Sequence, residues 1–109
     1  KLLSKKTVKR LSQSYSVPGK DRMLMLPTRF SEGLMIHMDN RDNFEGEGGS
    51  FIIGPNAFGH VGFGGSSATF ADPDYKLSFG YMVNKLGGEY LISERCQNLI
   101  NSTYTSLRT

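Results

Sequence analysis

Much of the familiar chemistry is missing from these 109 residues, and each gap removes a class of function. A single cysteine, Cys96, excludes an internal disulfide framework. It sits in a helix-like stretch and reads as a small buried apolar residue. There are two histidines, His37 and His60, and no pair of ligands stands at a metal-binding spacing, so neither a metal nor a cofactor is expected. The glycine-rich run "GHVGFGG" lacks the GxGxxG spacing, and no lysine follows it to make a phosphate-binding loop. Asp39-Asn40-Arg41-Asp42 lacks the spacing and the closing glutamate of an EF-hand. There is no GxSxG nucleophile elbow. No apolar run is long enough for a membrane helix, and no cationic-then-apolar leader is present. Asn101-Ser102-Thr103 is a formal glycosylation sequon, but it falls mid-helix and acceptors favour surface loops.

Apolar residues are also scarce, at 38% of the chain. The length suits one small domain, yet a core this thin is expected to be part of a larger fold. With Lys1 and not methionine first, the chain reads as a processed or partial product. Acidic residues are absent from one end: Lys1, Lys5, Lys6, Lys9, Arg10 and Lys20 have none among them. A basic tail can signal nucleic acid, but these charges are spread as on the solvated face of a helix. No aromatic-rich RNA-binding signature follows, so no nucleic-acid partner is expected.

What is present reads as alternating local order. Residues 2–14 predict a helix with Ser4 as N-cap and Leu3, Val8 and Leu11 near one face. Pro18 and Gly19 end it. "RMLMLP" predicts a short extended run, and "GLMIHMD" a strand in which Leu34, Ile36 and Met38 alternate with Met35 and His37. "NRDNFEGEGGS" reads as a polar loop. "HVGFGGSSATFA" and "YKLSFGYMVN" predict a hairpin about the turn Asp72-Pro73-Asp74, with Leu77, Phe79, Tyr81 and Val83 on one face. Residues 90–107 predict an amphipathic helix whose more apolar line is Ile92, Cys96, Ile100, Tyr104 and Leu107. The order gives an α+β fold, an antiparallel sheet flanked by helices.

One stretch is not generic. "FGHVGFGGSSATFADPDYKLSFGYMVNKLGG" resembles the C-terminal segment of the class C beta-lactamase-like serine hydrolases, which include penicillin-binding proteins and esterases. The elements that carry the likeness are Gly59, His60, Val61, Gly62, Gly64-Gly65, Ala71-Asp72-Pro73 and Asn84. "LLSKKTVKRLSQ", "FSEGLMIHM" and "SERCQNLINSTYTSL" resemble flanking elements, so residues 1–109 would form a partial domain of that fold. The resemblance implies that upstream chain completes the fold and brings a serine nucleophile in an SxxK helix and a tyrosine in a YxN loop. It implies a small-molecule or peptide substrate in the parent. It places His60 on an edge strand as the cationic or hydrogen-bonding residue. Gly62 would let the substrate backbone lie flat, with Val61 and Gly64 also at the substrate, and the Phe63 amide would be half of an oxyanion hole. Val61 stands where the family has threonine or serine. Within this sequence no serine has lysine three residues on, and no tyrosine has asparagine two on. The chain is expected to be inactive alone, as part of a hydrolase or as a non-catalytic binding or assembly module derived from that fold.

Overall fold

A computed structural model describes residues 2–14, 21–42 and 49–108. Helix α1 (Lys5–Leu11) opens the chain, with Ser4 Oγ accepting from the Thr7 amide as its cap. It buries no residue: Lys5, Lys6 and Lys9 face solvent and Arg10 pairs with Glu32. Leu3 is exposed as well, so the apolar stripe expected of this helix has no core beneath it. The breakers Pro18 and Gly19 lie outside the described residues.

The run after Asp21 is not extended. The Asp21 carboxylate accepts from the amides of Met23 and Leu24, both at 2.8 Å, and folds the segment into a turn. Those bonds hold its carboxyl below the usual carboxylate range, the Leu24 amide most of all. Met25 closes the turn at φ 59°. Local side-chain bonding has here overridden the strand propensity of an apolar run.

Strands β1 (Met35–Ile36), β2 (Phe58–Val61), β3 (Ser67–Asp72) and β4 (Leu77–Met82) form one antiparallel sheet in the order β1-β2-β3-β4. The strand expected across residues 33–39 shrinks to β1 and a single bridge between Met38 and Phe51. Met35 and Ile36 are both buried, so burial does not alternate there. The hairpin about Asp72-Pro73-Asp74 forms as expected, with Ala68 opposite Tyr81 and Phe70 opposite Phe79. The first of its predicted strands is broken, however: Phe63–Gly65 forms a 3₁₀ turn with Gly64 and Gly65 at positive φ.

Helix α2 (Glu94–Arg108) covers one face of the sheet. Cys96, Ile100 and Tyr104 are buried, as the apolar line in the sequence required, while Leu107 stays exposed. The core joins them to Met35, Met38, Phe51, Ile53, Val61, Ala68 and Phe70. Phe70 stands at the centre, stacked on Phe79 at 5.1 Å and on Tyr104 at 6.0 Å, with the edge of Phe51 at 6.1 Å. Gly59 is obligatory in β2, since a Cβ there would enter the Thr69 carbonyl and the Phe70 backbone. Among the described residues no helix is long and apolar enough to cross a membrane.

Polar contacts fasten α2 to the segment before β2. The Gln97 side-chain amide takes the Ile52 amide (3.1 Å) and donates to the Ile52 carbonyl (2.9 Å). Seven residues on, the Tyr104 hydroxyl accepts from the Gly54 amide at 2.8 Å and donates to Asp72 Oδ2 at 2.6 Å. Asp72 Oδ1 takes the Asp74 amide at 3.0 Å. Burial, with the bond to Asp72, pushes the Tyr104 hydroxyl well above the usual phenol range. Tyr104→Phe removes the only donor to Asp72 Oδ2 among the described residues and strands the Gly54 amide, at an expected cost of about 2–3 kcal/mol in urea unfolding. Because the folded state keeps a proton that an unfolded tyrosine releases near pH ~10, stability should be full below that pH and fall as pH rises past it. The fall should be shallower in Tyr104→Phe. An unchanged alkaline slope would show that this hydroxyl does not supply it.

Candidate functional site

The five residues singled out by the sequence lie at the end of β2 and in the turn after it. Along β2, β1 pairs with Phe58 and Gly59. Among the described residues His60 and Val61 have strand partners on the β3 side alone, Thr69 and Ala68. The resemblance implies an edge strand, whereas β2 lies inside the sheet. Its last two residues nevertheless outrun β1, with no second strand beside them among the described residues.

Alternation along β2 sends these side chains in opposite directions. Gly59 and Val61 face the core, and His60 is exposed beside Thr69 on the face away from α2. The His60 ring makes no hydrogen bond among the described residues. Val61 is only 3% exposed and belongs to the core cluster, so its side chain is not available to a substrate. That position offers backbone alone. Gly62 has an internal reason to be glycine: a Cβ would strike the hydroxyls of both Ser66 and Ser67. The close approach is made by the turn itself.

The turn is held from two sides. The Gly62 amide donates to the Ser67 carbonyl (2.9 Å) and the Ser66 amide to the Phe63 carbonyl (3.3 Å). The Gly65 amide reaches the Leu91 carbonyl, and the Gly87 amide the Gly64 carbonyl, both at 2.8 Å. The Phe63 amide makes none of these loop-closing bonds. Gly64 is buried at φ 70°, beside Leu86. The Phe63 ring is 66% exposed and packs edge-on against Tyr90 at 5.6 Å, with Leu86 also exposed. An exposed imidazole, a backbone N–H with no hydrogen bond among the described residues and an apolar rim thus share one end of the sheet.

No nucleophile and base are paired here. The His37 Nδ1 bonds the Ile53 carbonyl at 2.7 Å, and among the described residues neither histidine ring is hydrogen-bonded to a hydroxyl or thiol. No group of metal-ligating side chains is gathered among the described residues. Cys96 is buried, and burial pushes its thiol up to about 11. The buried Gly54–Tyr104–Asp72 chain was not legible, because Asp72 reads fully as a turn residue through its bond to the Asp74 amide. A second signal was available: Asp72 falls in phase with Ala68 and Phe70, on the buried face of β3.

Compared with known proteins, the sequence matches no family model and no curated protein.

The raised thiol gives a direct check. Cys96 should resist Ellman's reagent at pH 8 in the native protein and react fully in urea. Rapid native labelling would contradict its burial.

Proposed function

We propose that this chain is the C-terminal portion of a beta-lactamase-like serine hydrolase. The parent would hydrolyse a beta-lactam, ester or peptide-type substrate through an acyl-enzyme on a serine outside these residues. The observation that carries the reading is the end of β2: His60 to Gly62 outruns its β1 partner and leads into a turn whose Phe63 amide bonds to no described residue. In this reading His60 lies beside the reacting serine, and the Phe63 N–H meets the developing oxyanion. Such a donor supplies about 3 kcal/mol of transition-state stabilisation. Gly64 and Gly65 hold the turn that aims it. The resemblance over residues 58–84 supports the assignment, and the antiparallel sheet covered by α2 is the architecture it requires.

The absence of SxxK and YxN within this sequence favours a second reading, a non-catalytic binding or assembly module derived from the same fold. Both readings are tested with a fluorophosphonate probe and intact mass. These 109 residues alone should not be labelled. A longer native chain carrying SxxK should be labelled at its serine, and His60→Ala there should slow labelling by about 100-fold. A native chain left unlabelled, with or without His60, removes the hydrolase reading and leaves the module.

A further inference from the structure

A second site lies at the other end of α2 from the Phe63 turn and is independent of the hydrolase reading. A groove of about 360 Å³ runs between the last turns of α2 and the segment leading to β2, with Asn101, Thr105, Arg108 and His37 on its walls and Ile52 and Pro55 beside them. Asn101, Thr105 and Arg108 follow at i, i+4 and i+7, a single stripe of the helix. It continues the face that Gln97 and Tyr104 use to grip residues 52–54, and here the helix makes no such grip.

Asn101, Thr105 and Arg108 have donor capacity that no described residue takes up. Asn101 Oδ1 accepts from Gln97 Nε2 at 3.0 Å, and its own NH₂ donates to no described residue. Thr103 and Ser106 turn their hydroxyls back onto helix carbonyls at 2.8 and 2.9 Å, but the Thr105 hydroxyl makes no hydrogen bond among the described residues. The Arg108 guanidinium lies over the Tyr104 ring, 5.8 Å from its centroid, with no acidic partner among the described residues. A carbonyl can only accept, so the 2.7 Å contact with Ile53 puts the His37 proton on Nδ1 and leaves Nε2 free. When protonated, Nε2 is a further donor.

Among the described residues no carboxylate lines the groove. Asp72 lies behind Tyr104 with Oδ2 taken by its hydroxyl, and Asp39, near His37, is bonded through both oxygens to Arg41. Arg29 lies outside the groove lining and donates from Nη1 to the His37 carbonyl at 3.2 Å. A groove that brings several donors and one planar guanidinium together suits an oxyanion. Asn101, Thr105 and Arg108 offer donors along the helix wall with His37 across from them, an array that suits the three terminal oxygens of a phosphate. Ile52, Ile53 and Pro55 offer apolar contact to whatever carries it.

We propose that this groove binds a small phosphate monoester, its phosphate held by Asn101, Thr105 and Arg108 with His37 opposite, and its organic body against Ile52 and Pro55. The test is a ¹⁵N–¹H titration of the full chain with phenyl phosphate, inorganic phosphate and phenol. Phenyl phosphate should saturate with shifts confined to residues 52–55, His37 and the last two turns of α2. It should bind more tightly than inorganic phosphate, and phenol should not bind. Arg108→Gln should weaken phenyl phosphate by about tenfold or more. Thr105→Val, a milder change at an exposed position, should weaken it by less. Equal affinity for the two phosphates would remove the ester assignment. Shifts elsewhere, binding of phenol, or an Arg108→Gln variant that binds normally would overturn the site.

Discussion

The Tyr104 hydroxyl is the point on which the rest of the structure depends. This single buried atom touches three parts of the chain at once: the helix that carries it, the Gly54 amide before β2, and the Asp72 carboxylate at the hairpin turn. Its ring stacks on Phe70, the centre of the core, so the bond and the packing fix one another. A carboxylate buried to 1% exposure is costly unless its oxygens are hydrogen-bonded, and here both are. Gly54 must be glycine for the same reason, because a Cβ there would occupy the space of the Asp72 carboxylate. Three residues distant in sequence are thus constrained by a single group.

The arrangement also explains how a thin apolar core suffices for α2. Only Cys96, Ile100 and Tyr104 of the helix are buried. Gln97 adds a contact that behaves like a strand partner, since its amide satisfies both the N–H and the carbonyl of Ile52. The segment before β2 therefore has its backbone polar groups met by a helix side chain where another strand would normally meet them.

Much of this was legible in the sequence where periodicity was long. The hairpin of β3 and β4 and the buried line of α2 follow from spacing alone, because burial on one face imposes a period that short-range chemistry does not disturb. The α+β class follows from the order of those elements. Short segments were less legible. Asp21 turned the apolar run after it into a bend, and glycines at 64 and 65 broke an extended stretch into a turn, each through local bonds that compete with strand pairing. At the candidate site, alternation in β2 correctly exposes His60, but the same alternation buries Val61, which a motif read as a string does not convey. The phase of Asp72 in β3 and of Tyr104 in α2 marks each as buried, but nothing in the local pattern says that they meet each other and Gly54.

The Phe63 turn is bonded on both sides to the stretch that leads into α2, through Gly65 to Leu91 and through Gly87 to Gly64. Those two bonds tie it to the segment that enters the helix, so it is not a free loop. Displacement of the start of α2 would pull on that segment and, through it, on the turn that carries Phe63. The helix that covers the sheet is in this sense a handle on the turn, and whatever grips its exposed side can shift the aim of one amide at the sheet's end.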